Sequence, residues 1–176
     1  YGISYVQDSQ IIVRKSVGLV EDLSTDDQQV TSCIGHVRYS TSGNSKETCR
    51  VDTTEIQPLV NGQICIVHNG NVPNISGHDT MFLLQMISQF LSTPPYNIDK
   101  ALIKIMNNIP SSYSIILQYE NSLFIMKDRF GVRPLSYGFK NGNVYIASET
   151  VALDGCSGIT EAVSYTHLTL PTKVSV

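Results

Sequence analysis

Apolar and polar residues follow two rhythms along this chain, and the change of rhythm marks its elements. The opening YGISYV and the stretch SQIIVRKSVGLV (9–20) are rich in β-branched and aromatic residues and read as strands, the second closed by a turn at Gly18. DLSTDDQQ (22–29) holds turn and cap residues, with room for a short helix. SCIGHVRYS (32–40) alternates Ile34, His36 and Arg38 with Gly35, Val37 and Tyr39, which predicts a strand with one polar face. TSGNSKETCRVDTTEI (41–56) has no period and reads as a long polar loop. QPLVNGQICIVHN (57–69) predicts a hairpin around Asn61-Gly62.

The period then lengthens to that of a helix. HDTMFLLQMISQFL (78–91) sets Met81, Leu84, Ile87, Ser88 and Leu91 along one stripe, with Asp79 near the start. NIDKALIKIMNNI (97–109) repeats the pattern at Ile98, Leu102, Ile105 and Ile109, and Pro110 stops it. SYSIILQY, NSLFIMKD and GNVYIASE return to strands, with turns at Glu120-Asn121 and Asn141-Gly142. Strands, two adjacent helices and strands again make an α+β order.

Composition narrows the picture. The 176 residues are 41% hydrophobic, enough for one domain with a real core. A net charge of -3 without Lys/Arg clusters argues against nucleic acid or an anionic membrane as the partner. No apolar run approaches the roughly 18 residues of a membrane span, and no signal peptide opens the chain, so a cytoplasmic protein is expected. Cys33, Cys49, Cys65 and Cys156 have no CxxC spacing, which points to reduced thiols and to neither a zinc site nor a disulfide framework. Asn74-Ile75-Ser76 fits a glycosylation sequon and is read as chance.

Two apolar runs end in polar clusters, GHVRYSTSG (35–43) and IVHNGNV (66–72). Taken singly, each polar residue has an ordinary use. Asn69-Gly70 makes a hairpin turn, Arg38 a surface cation on a half-exposed strand, and Asp79 a helix N-cap. Alternatively, both strand ends deliver polar groups to one pocket.

Together with QPLVNGQICIVHNGNV, KDRFGVRPLSYG and ASETVALD, GHVRYSTSG resembles, in order and spacing, the glutaminase domain of the amidophosphoribosyltransferase family. These are class II glutamine amidotransferases of the N-terminal-nucleophile hydrolase type, and the likeness runs from Tyr1 to about Ala162. The resemblance implies an α+β fold, a four-layer α/β/β/α sandwich, that binds L-glutamine. In that family an N-terminal Cys thiolate attacks the side-chain amide, and the ammonia goes to phosphoribosyl pyrophosphate in the first step of de novo purine biosynthesis. By resemblance, Arg38 clamps the α-carboxylate and Asp79 pairs with the α-ammonium. The Asn69 side-chain amide and the Gly70 N–H become the oxyanion hole. His36 and His68 receive no catalytic role, and Asp128, Arg129 and Arg133 are expected to stabilise their own segment. This segment needs no metal or cofactor. Mg²⁺ belongs to the phosphoribosyltransferase domain that follows in the family, the expected partner in a homo-oligomer.

The likeness breaks at three points, one of them the phosphoribosyltransferase half of the family, which these residues are not expected to supply. The family opens with Cys-Gly and an HRGQES-like stretch ahead of the strand that YGISYV matches. An N-terminally truncated domain over 1–162, without its nucleophile and unable to hydrolyse glutamine, is therefore expected. Asp79-Thr80-Met81 stands where the family commonly has Asp-Thr-Glu or Asp-Ser-Glu. VSYTHLTLPTKVSV (163–176) resembles a translated sequencing adapter and is expected to be non-native. The rival readings are a class II amidotransferase making glucosamine 6-phosphate or asparagine, and a non-catalytic glutamine-binding module. Tyr39, where the glucosamine enzymes carry Trp, and KDRFGVRPLSYG favour the phosphoribosyl family over the glucosamine enzymes, while asparagine synthetases carry a similar segment.

Overall fold

The computed structural model describes residues 1–20, 30–38, 53–75, 77–120 and 122–162, and the backbone of 168–171. The stretch 22–29, Tyr39, most of the polar loop, Ser76, Asn121 and most of 163–176 lie outside the described residues.

The chain opens with a hairpin of β1 (Gly2–Gln7) and β2 (Gln10–Lys15), whose turn residues Asp8 and Ser9 both have positive φ, +49° and +62°. Two consecutive left-handed residues match the right-handed twist of the flanking strands. β3 (Cys33–His36) pairs with the other edge of β1, Gly2 opposite His36. Of the strand read over 32–40, the described part stops at His36, and its anticipated polar face turns inward at Ile34, which is 3% exposed.

β4 (Leu59–Asn61) and β5 (Ile64–Asn71) form the hairpin expected around Asn61-Gly62, with Gly62 at φ +59°. β6 (Ser112–Tyr119) and β7 (Ser122–Lys127) continue this antiparallel sheet, and Leu168–Pro171 pairs with the outer edge of β7. A third sheet is formed by Ser136–Lys140 (β8), Asn143–Ala147 (β9) and Ser157–Glu161 (β10), with β8 in the middle.

Two helices, α1 (Asp79–Leu91) and α2 (Ile98–Asn108), cover one face of the large sheet. The Asn97 side chain caps α2 by accepting the Lys100 N–H at 3.0 Å. The stripe expected for α2 holds at Leu102 and Ile105, joined by Ala101 and Met106. That of α1 is shifted. Thr80, Leu83, Leu84 and Ile87 face inward, while Met81 is 38% exposed. Met81-Phe82-Leu83-Leu84 are all apolar, so this run does not fix which side of the helix is buried.

Leu83, Leu84, Ile87, Leu102 and Ile105 pack onto Ile66, Ile115 and Leu117 of the sheet. On the opposite face Ile125 meets Leu135 and Ala162, with Tyr137 and Ile146 at the margin, and this joins the large sheet to the β8 sheet. The result is an α+β sandwich in which β5 lies between the helical layer and the smaller sheets.

Candidate functional site

Three chain segments converge at one end of the sandwich: the stretch after β3, the end of β5 and the start of α1. Between them lies a cleft of about 810 Å³ lined by, among others, Arg38, Asn69, Gly70 and Asp79. All four residues singled out from the sequence thus meet in one depression.

Asn69 and Gly70 do not form a turn. They belong to β5, opposite Ser114 and Tyr113 of β6. Gly70 is required by packing, because a Cβ there would lie 2.4 Å from the Ser112 carbonyl oxygen and 2.7 Å from Tyr113 Cα. Tyr113, fully buried, closes off that side.

Asp79 is the first residue of α1, and His78 occupies the N-cap position without a side-chain cap. The Asp79 carboxylate accepts the Thr80 N–H at 2.8 Å on Oδ1 and, more weakly, the Val72 N–H at 3.4 Å on Oδ2. A carboxylate offers about four lone-pair positions, so acceptor capacity remains for a ligand ammonium. The N-terminal end of the helix also favours negative charge.

Arg38 donates to Glu55 Oε2 at 3.1 Å, with both side chains about half exposed (49% and 46%). An ion pair in that setting contributes roughly 0–1 kcal/mol, so a ligand carboxylate can compete for the guanidinium.

The sequence reading missed several cleft residues. His68 is 3% exposed, with Nδ1 3.3 Å from Thr80 Oγ1 and 3.7 Å from Asp79 Oδ1. Burial pushes its imidazole down to about 4, against the opposing pull of Asp79, and His36, His78 and Arg133 add to the lowering. His68 is therefore neutral near pH 7 and brings no positive charge to compete for the Asp79 side chain. Among the described residues, its Nε2 and the Nδ1 atoms of His36 and His78 are buried without a hydrogen-bond partner. Arg133, expected to serve its own segment, lines the cleft as a second cation. Asp128 behaves as anticipated: fully buried, it accepts the N–H groups of Tyr113, Phe130 and Val132 at 3.2, 2.8 and 3.2 Å. The Arg129 guanidinium lies 5.4 Å from the Phe130 ring centre.

Of the thiols, Cys33, Cys65 and Cys156 are free and none lines the cleft, while Cys49 falls outside the described residues. Cys65 is buried beside Ser4 Oγ at 3.0 Å, and burial pushes its thiol up to about 11. Among the described residues no group of three or more His, Cys, Asp or Glu is placed to hold a metal ion, and no helix is long and apolar enough to cross a membrane.

Comparison with known proteins bears on family and fold. The family described as Glutamine amidotransferase domain matches residues 46–155. The amidophosphoribosyltransferase of Methanothermobacter thermautotrophicus is 28% identical over 87% of this chain. The chloroplastic enzyme of that name from Vigna aconitifolia is 33% identical, also over 87%. The chain spans only 36% and 34% of these relatives' own lengths. Among solved structures, glutamine phosphoribosylpyrophosphate amidotransferase from B. subtilis, in complex with ADP and GMP, superposes with a TM-score of 0.70 at 21% identity. That match covers 99% of this chain and 43% of the other. The likeness shows that this chain shares its fold with that part of the solved structure.

Proposed function

Because this chain belongs to the glutamine amidotransferase domain family, we propose that its cleft binds L-glutamine and presents the side-chain amide for release of ammonia. The observation that carries this reading is the meeting of Arg38, Asn69, Gly70 and Asp79 around one cleft, delivered there by three separate segments. Glutamine carries a carboxylate, an ammonium and a neutral amide. Arg38 meets the first, Asp79 the second, and the Asn69 amide with the Gly70 N–H the carbonyl oxygen of the third.

The chemistry follows from that placement. A thiolate adds to the amide carbon, and the developing oxyanion is held by the Asn69 and Gly70 donors. The intermediate then collapses to a thioester as the protonated amine leaves as ammonia. Water hydrolyses the thioester to glutamate and restores the thiol. The attacking thiol comes from an N-terminal Cys outside these 176 residues. Buried Cys65 lies away from the cleft with its thiol held protonated, so it cannot take that part.

In the whole protein the ammonia passes to phosphoribosyl pyrophosphate on a linked transferase domain, as the names of the relatives suggest. The test uses the full-length product of the gene: glutamine-dependent pyrophosphate release from phosphoribosyl pyrophosphate, measured beside fructose 6-phosphate and aspartate as alternative acceptors. Pyrophosphate release that needs glutamine, and that falls about 10²–10³-fold in kcat with Asn69→Ala, is the expected result. Activity with fructose 6-phosphate or aspartate alone would assign the acceptor to another class II amidotransferase.

A further inference from the structure

One contact at the cleft concerns a residue that the sequence motifs left unassigned. β4 pairs with β5 at Leu59–Ile66, Val60–Cys65 and Asn61–Ile64, and the ladder ends there. Just before β4, Gln57 is 5% exposed and turns its side-chain amide toward the same edge of β5. Its Oε1 accepts the His68 N–H at 2.6 Å, and its Nε2 donates to the His68 carbonyl at 3.1 Å. One primary amide thus takes the place of a strand peptide and satisfies both main-chain groups of the residue before Asn69-Gly70.

The alternation of strand peptides gives this contact its meaning. N–H groups at positions 68, 70 and 72 point to the same edge of an antiparallel strand, while those at 69 and 71 face β6. Along that edge the Gln57 amide covers His68, and the Asp79 carboxylate accepts the Val72 N–H at 3.4 Å. The Gly70 N–H lies between them, directed to the cleft that both Gln57 and Asp79 line. Gln57 is itself fixed in place: a Cβ on Gly2 would lie 2.4 Å from the Gln57 carbonyl oxygen, so β1 packs directly on its backbone.

We propose that Gln57 is a positioning residue, whose two-point amide contact with the His68 backbone aims the Asn69 and Gly70 donors at the amide oxygen of the ligand. The inference rests on the reading of Asn69 and Gly70 as oxyanion donors. Such donors work because their direction is set before the ligand arrives, and an unpaired peptide just ahead of them would be free to rotate.

The test compares the affinities of the 176-residue chain for L-glutamine and for L-norvaline. Norvaline keeps the ammonium and carboxylate but has no amide, so the ratio of the two affinities reads the Asn69–Gly70 contact alone. Gln57→Ala removes the clamp. Gln57→Glu keeps size and the acceptor but loses the donor to the His68 carbonyl, and it serves if the alanine variant does not fold. The expected result is a drop of at least five-fold in the ratio, with norvaline affinity changed by less than two-fold. An unchanged ratio in a folded variant, or equal weakening of both ligands, overturns the inference. Equal affinity of the unsubstituted chain for the two ligands overturns the oxyanion reading itself, and this inference with it, a result distinct from an unchanged ratio in the variants.

Discussion

At the scale of single residues, the cleft depends on keeping opposite charges available side by side. Asp79 can receive an ammonium because His68, 3.7 Å away, is held neutral by burial. Asp79→Asn should therefore weaken glutamine binding at least ten-fold in calorimetry, about 1.4 kcal/mol, while the amide oxygen still accepts the Thr80 N–H and the fold persists. The buried imidazole also makes stability depend on pH. Its folded value, about 4, lies below the ordinary 6.5, so between these values the unfolded chain binds more protons than the folded one. Stability should be fully present above about pH 6.5 and fall as pH drops toward 4, by up to about 3 kcal/mol from this group. His36, lowered chiefly by burial, contributes with the same sign. Urea midpoints at pH 7 and pH 5 should differ, and His68→Gln should flatten the difference. Equal slopes in the two proteins would assign the pH dependence elsewhere. Gly70 and Arg38 were picked out through the likeness to a family, since taken singly they read as half of a turn and a surface cation. Gln57 and Arg133 were not, because a lone glutamine or arginine acquires its role only from what folds next to it.

At the scale of elements, the site is made by the ends of β5 and α1, and what holds those ends is mostly backbone. Asp128 ties three N–H groups, one of them at Tyr113, the β6 residue opposite Gly70. Asp128→Ala would leave one buried and two part-buried donors short of an acceptor and should cost about 2–4 kcal/mol, read by chemical denaturation. The helix α1 gives a sharper contrast. Leu83, fully buried, should lose about 2–5 kcal/mol on replacement by Ala, and exposed Met81 less than about 1 kcal/mol. The sequence pattern ranks them the other way, since it places Met81 on the stripe and omits Leu83. Periodicity located both helices and the turn at Asn61-Gly62 because their signals are local. It misjudged the buried face of α1 because four successive apolar residues leave the phase open, and packing against β5 decides it. The rival reading of Asn69-Gly70 as a turn fails for a related reason: pairing with β6, some 45 residues away, extends the strand through both residues.

At the scale of the whole molecule, one sheet face packs against α1 and α2 and the other meets the smaller sheets, and the cleft lies where β3 and β5 end and α1 begins. The α+β order was legible in the succession of periods, but the convergence of these three segments was legible only through their likeness to a family. The central claim is that this convergence is a glutamine site. The most direct test is a titration of the isotopically labelled chain with L-glutamine, followed by amide and guanidinium NMR signals. Saturable shifts concentrated at the Arg38 side chain and the Gly70 and Asp79 amides, and abolished by Arg38→Ala, are the predicted result. No shift at millimolar glutamine, or shifts gathered on another surface and indifferent to Arg38, would contradict the account.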